Sequence, residues 1–327
     1  MRTPVEVRID VSEAMPGAGA LETAATVYLP DYLGPNVSVM FAFPGGGYSR
    51  RYYDIEWPAI AGYSQARYHA SRGLVFVACD HLGVGGSSVP DLARLSYEIL
   101  ADANHLTVAA VVEMLRSGSL ATDVPAAEPG QMVGIGQSMG GCLLVVQQAR
   151  HLTFDAIAVM GFSAIHTVIP TPPGQPPFPM PIVPRGTPVT ALNPERSAEE
   201  WMYAHHSEDE EPALLAAERE VKTRGAAGDG NGRSRYPWVS VTVPTCALTM
   251  MSPACIVAEA AAIDVPVLVI AGERDTLPDP KAESPAYARA PCVELFILER
   301  SAHMHNFART RERLWARLDE FAREPAA

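Results

Sequence analysis

Two stretches, Val37-Ser38-Val39-Met40-Phe41-Ala42-Phe43 and Val265-Pro266-Val267-Leu268-Val269-Ile270, are nearly unbroken in apolar side chains. A strand made from either must be covered on both faces, which is the condition of strands in a parallel sheet under helical crossovers. Other short apolar runs, bounded by Gly, Pro or Asp, alternate with longer helical patterns, the mark of βα units. Strands are expected at 5–11, 23–29, 37–43, 74–79, 131–136, 156–161, 265–271 and 293–298, giving an α/β fold with an eight-stranded, mostly parallel sheet and flanking helices. Val108, Val111, Val112 and Leu115 recur at i, i+3, i+4 and i+7 and give one helix its buried face. A closing helix is expected over about 307–322, with Asn306 as N-cap and Phe307, Leu314, Leu318 and Phe321 turned to the sheet.

Residues 164–258 break the alternation. The run Pro170-Thr171-Pro172-Pro173-Gly174-Gln175-Pro176-Pro177-Phe178-Pro179-Met180-Pro181 sustains neither helix nor interior strand, because each proline removes a backbone donor. An acidic helical piece follows at about Ser197 to Lys222, then a Gly-rich segment, Gly225 to Gly232. The expected organisation is a core of residues 1–163 and 259–327 with a cap or lid, 164–258, inserted between them. Phe178, Met180, Trp201, Met202, Tyr203, Tyr236 and Trp238 would wall a pocket or pack the cap's own small core.

With 37 acidic against 25 basic residues and a formal net charge of −12, the chain has no basic surplus for phosphates or anionic lipid. No nucleic-acid or membrane partner is expected, since no apolar run approaches the roughly 20 residues of a membrane span. The start, Met1-Arg2-Thr3-Pro4-Val5-Glu6-Val7, lacks the marks of an export signal, so a cytoplasmic location is expected. Five scattered cysteines without a Cys-x-x-Cys pair argue against a disulfide framework and a structural zinc site. Neither metal nor cofactor is expected. A homo-oligomer joined through the cap or an edge strand is open to this chain.

Chemistry concentrates at Gly136-Gln137-Ser138-Met139-Gly140, with the strand Gln131-Met132-Val133-Gly134-Ile135 before it and an apolar helical run after it. Strand, Gly-x-Ser-x-Gly, helix is the context of a nucleophile elbow, whose sharp turn leaves no room for side chains at the flanking glycines. The helix amino terminus then faces the serine, where negative charge develops. Serine needs a base. Ser301-Ala302-His303-Met304-His305-Asn306 follows the last strand, and His303 is the candidate, with His305 as runner-up; a metal pair of the two lacks a third ligand. The orienting acid should lie between serine and histidine, which selects Asp275 at the end of Val269-Ile270-Ala271-Gly272-Glu273-Arg274-Asp275, with Glu273 second. Oxyanion donors are expected from Gly46 and Gly47, in Phe43-Pro44-Gly45-Gly46-Gly47-Tyr48, and from the N–H of Met139.

On these pieces, and on the loop Asp80-His81-Leu82-Gly83-Val84-Gly85-Gly86-Ser87-Ser88, the sequence resembles the α/β-hydrolase superfamily over its whole length outside the cap. Pro44 stands where members with a His-Gly oxyanion loop carry histidine. The resemblance implies an ester or lactone hydrolase working through an acyl-enzyme on a bulky, apolar, ring-containing small molecule, with Tyr48, Trp201 and Tyr203 against the substrate. Size, glycine loop and late aspartate are similar to bacterial lactonases that open the macrocyclic mycotoxin zearalenone. The elbow also resembles those of homoserine O-acetyltransferases and of C–C hydrolases for ring-cleavage products.

Overall fold

Apolar alternation along the central strands decides the architecture. In Asn36–Phe43 (β3), Val39, Phe41 and Phe43 enter one buried cluster while Met40 and Ala42 enter another on the opposite face. Val267–Gly272 (β7) repeats the pattern, with Val267 and Val269 on one side and Leu268 and Ile270 on the other. The other strands are Val5–Asp10 (β1), Glu22–Tyr28 (β2), Val75–Cys79 (β4), Glu128–Gln137 (β5), Ala156–Met160 (β6) and Val293–Leu298 (β8). They form one eight-stranded sheet in the order β1-β2-β4-β3-β5-β6-β7-β8, in which β2 runs antiparallel to both its neighbours, β1 and β4, and all other pairs are parallel. All eight lie where the sequence placed them, with ends shifted by up to three residues. This computed structural model describes residues 2–34, 36–58, 60–187, 197–226 and 234–324.

Helices cover both faces. Gln65–Ala70 (α1) and Arg311–Phe321 (α7) pack with one cluster; Tyr97–Ser117 (α2), Met139–His151 (α3) and Val257–Ala262 (α6) pack with the other. In α2 the expected face of Val108, Val111, Val112 and Leu115 is buried, Ser96 caps the N-terminus by accepting from Ile99 N–H, and Gly118 ends the helix at φ 69°.

The last helix starts later than expected. Asn306 does not cap it, because its side chain is engaged elsewhere: Nδ2 donates to Gln65 Oε1 (2.9 Å) and Tyr52 O, and Oδ1 accepts from Trp315 Nε1 (2.8 Å). Residues 305–307 form a 3-10 turn, and Phe307 is buried with Leu314, Leu318 and Phe321 as expected.

Among the described residues, the stretch between β6 and α6 adds no strand to the main sheet. The proline-rich run contributes only the pairing of 168–169 with 178–179. The acidic piece divides into Ala198–His205 (α4), opened by a Ser197/Glu200 capping box, and Pro212–Arg224 (α5). Of the Gly-rich segment 225–232, residues 227–232 lie outside the described residues. α6 spans the expected cap boundary at 258 and packs on α3.

Candidate active site

The elbow is built by close backbone approach. A Cβ on Gly136 would fall on the Gly140 carbonyl, and one on Gly140 would fall on Phe43 O. Ser138 itself sits at φ 53°, ψ −117°, a conformation that costs a non-glycine residue roughly 1–3 kcal/mol. It is held by Ser138 N–H to Met160 O (2.7 Å) and by Gly141 and Cys142 N–H to Ser138 O (2.9 and 3.1 Å). α3 begins at the next residue, so the serine stands between the C-terminal end of β5 and a helix N-terminus.

The turn after β3 reaches the same place. Tyr53 Oη donates to Phe43 O (2.7 Å) and His81 Nε2 lies 3.1 Å from Pro44 O, which ties those carbonyls back beneath the glycines. Gly46, Gly47, Ser138 and Met139 line one cavity of about 470 Å³. No backbone hydrogen bond among the described residues takes up the N–H of Gly46 or Met139.

Asp275 follows β7 and is fully buried at the carboxylate. Oδ1 accepts from Thr276 N (2.7 Å) and His303 Nδ1 (2.7 Å); Oδ2 accepts from Gly272 N (2.8 Å) and His305 Nε2 (2.8 Å). Burial opposes the charge, yet the two imidazoles and these bonds hold the carboxyl well below the usual carboxylate range. The bond to Asp275 places the His303 proton on Nδ1 and leaves Nε2 as acceptor. His303 lines the cavity with Ser138, whereas His305 does not. Gly161, at φ 61°, makes the space: a Cβ there would stand 3.0 Å from His303 Nδ1 and 3.3 Å from His305 Cε1.

The runner-up acid, Glu273, is exposed and accepts from Arg300 N (2.8 Å), away from both histidines. Among the described residues, no three His, Cys, Asp or Glu side chains are grouped to hold a metal ion. The loop after β4 is structural: Asp80 accepts from Gly86 N (2.7 Å) and pairs with Arg50.

Three expected substrate contacts part company. Tyr48 and Trp201 line the cavity; Tyr203 does not, because its ring lies under the Arg274 guanidinium at 4.0 Å. Of the other proposed wall residues, Met180 packs with Ile169, Ala204 and Phe178, while Tyr236 and Trp238 stack at 5.3 Å. The apolar wall comes instead from Phe162, Val243, Leu248, Met250 and Met251.

Other side chains at the site were not singled out in the sequence. Gln137 Nε2 lies 3.1 Å from His303 O and 3.3 Å from His303 Nε2, restraining the ring; its place inside the elbow motif was the available signal. His205, at the end of α4, packs against the His303 ring at 5.3 Å, and burial followed by the Lys222 charge keeps it far below the ordinary histidine range. Behind it Tyr48 Oη and Trp238 Nε1 donate to Glu218 (2.7 and 2.8 Å), and His206 Nδ1 bonds Glu210 (2.8 Å). Burial works against the His206 cation, but Glu210 and Glu218 raise its pKa to about 9. No motif announces these residues.

A serine on such an elbow, at the C-terminal edge of an eight-stranded sheet in this order, is the architecture of the α/β hydrolases. The chain belongs to the alpha/beta hydrolase family, whose sequence model matches residues 39–317. No functionally curated protein matches the sequence. Solved structures share the fold at low identity. A thermophilic esterase from Thermogutta terrifontis has TM-score 0.62 at 15% identity over 98% of each chain. Proline iminopeptidase from Mycobacterium smegmatis has TM-score 0.58 at 16% over 97% of each. E-2-(Acetamidomethylene)succinate hydrolase has TM-score 0.58 at 13% over 98% of this chain and 99% of its own. No helix among the described residues is long and apolar enough to cross a membrane.

Proposed function

We propose that the protein is a serine hydrolase that cleaves a carboxylic ester or lactone of a bulky, largely apolar, ring-containing small molecule through an acyl-enzyme. The observation that carries this reading is the shared cavity of Ser138 and His303, with His303 Nδ1 bonded at 2.7 Å to a buried Asp275 carboxylate. In this mechanism Ser138 Oγ attacks the carbonyl carbon as its proton passes to His303 Nε2. The N–H groups of Met139 and Gly46, with Gly47 beside them, take the oxyanion. His303 returns the proton to the leaving alkoxide, and water activated by the same imidazole then releases the acid.

The substrate class rests on the apolar part of the lining, Phe162, Trp201, Val243, Leu248, Met250 and Met251, in a space of drug-like size. A macrocyclic lactone such as zearalenone fits that description. The cap role of 164–258 is part of the proposal, supported by Trp201 and Met251 of this segment, which line the same cavity as Ser138. A cytoplasmic setting accords with five unpaired cysteines. The test is a panel of p-nitrophenyl esters, lactones, thioesters and a vinylogous diketone, with product masses recorded with and without an added alcohol acceptor. Free acid as the product regardless of acceptor supports the reading. Transfer to the acceptor, or turnover of the diketone alone, replaces it.

A further inference from the structure

The cavity over Ser138 holds a charge that ester chemistry does not use. Its described lining contains no Asp or Glu, and its one Lys or Arg is Lys222. Lys222 belongs to α5 and is half-buried. Among the described residues its ammonium has no hydrogen bond and no ion pair; the contact it makes is with the face of Trp201, with Nζ 5.6 Å from the ring centroid. Glu218, one turn earlier, is engaged elsewhere. Its Oε1 accepts from Trp238 Nε1 (2.8 Å), and its Oε2 accepts from Tyr48 Oη (2.7 Å) and lies 3.5 Å from His206 Nε2. Burial lowers the proton affinity of Lys222 and Glu218 only partly restores it, so a bound anion would stabilise the cation. A lysine that borders an apolar cavity without a paired carboxylate is costly unless something else supplies the countercharge.

We propose that Lys222 is an anion subsite: the substrate carries a carboxylate remote from the reacting carbonyl, seated on Lys222 Nζ, with its hydrocarbon body along Leu248, Met250 and Met251. The acid-bearing ester is recognised at two points, by the amide donors beside Ser138 and by the ammonium. This inference rests on the ester reading given above. The competing explanation is structural: with Glu210, Glu218 and His206 charged, Lys222 brings that cluster to neutrality. A purely balancing charge would serve every substrate alike, whereas a subsite discriminates.

The experiment compares kcat/KM for the mono-p-nitrophenyl esters of adipic, suberic and sebacic acids with that for p-nitrophenyl hexanoate, octanoate and decanoate. Wild-type protein should favour the acid-bearing ester on the order of tenfold or more at its best chain length. Lys222→Met should erase that ratio while neutral esters stay within about threefold, and Lys222→Arg should restore part of it. If Lys222→Met melts early, Lys222→Gln gives the same readout. Equal losses on both series with an unchanged ratio would overturn the subsite, as would a wild-type preference for the neutral ester at every length. Turnover of neither series would instead sink the ester reading, and the subsite with it.

Discussion

The two sides of the cavity are held in different ways. On the sheet side the parts are fixed by backbone: Ser138 is pinned at φ 53° between β5 and α3, Gly136 and Gly140 leave no space for a Cβ, and Gly161 at φ 61° lies close against both late imidazoles. Two of the bonds to the Asp275 carboxylate come from main-chain N–H groups, those of Gly272 and Thr276. On the inserted side the parts are fixed by buried side chains, His206, Glu210, Glu218 and Trp238, with Tyr48 donating to Glu218 from the turn after β3. The halves meet where Met304 N–H donates to His205 O (2.9 Å) and the His205 and His303 rings pack. On the proposed reading the reaction chemistry is built into the turn geometry of the sheet, whereas the stretch between β6 and α6 contributes cavity wall through residues such as Trp201 and Met251.

The sharpest way to break this comparison is to remove each late histidine. On the proposed mechanism, in which Ser138, His303 and Asp275 act as a unit, His303→Ala should lower kcat by about 10⁴-fold or more. His305→Ala, which leaves the cavity wall intact and removes one of two bonds to Asp275 Oδ2, should cost far less. The reverse order in steady-state assays would make His305 the base. Asp275→Asn should lower kcat by up to about 10⁴-fold through the wrong imidazole tautomer, with the melting temperature less affected than the rate. A near-normal rate would move the acid elsewhere.

The insert should respond in stability before chemistry. Glu218→Gln removes one partner of a buried ionic cluster and should destabilise by about 3 kcal/mol or more, read by denaturant melts. His206 has its pKa raised in the folded state, to about 9 from 6.5. Its contribution is therefore complete below about pH 6.5 and is lost as the pH rises through about 9. Melting temperature should fall over that alkaline window in the wild type, and His206→Gln should flatten that part of the curve; identical slopes would remove the insert's charge network from the account.

What the sequence disclosed follows the same division. Strands buried on both faces and glycines forced by contact leave local marks, so β3, β7 and the elbow were legible, as was the bond from His303 to Asp275 across 28 positions. Side chains recruited by docking leave none. Tyr203 and Trp201 are two residues apart on α4, yet one lies under Arg274 and the other lines the cavity, a difference set by how the helix packs. Asn306 resembled a helix cap but joins Gln65, Tyr52 and Trp315, partners far away in the chain or nine residues further on. His205, Glu218 and Lys222 lie within an ordinary acidic helical stretch, and their meeting at the cavity depends on the path of the whole insert.

The central claim is that Ser138 is an activated nucleophile, and covalent labelling tests it without knowledge of the substrate. Exposure to a fluorophosphonate followed by intact-mass and peptide analysis should give a single phosphonyl adduct on Ser138, absent in Ser138→Ala and strongly slowed in His303→Ala. An adduct on another residue, or none on wild-type protein of intact fold, would contradict the account.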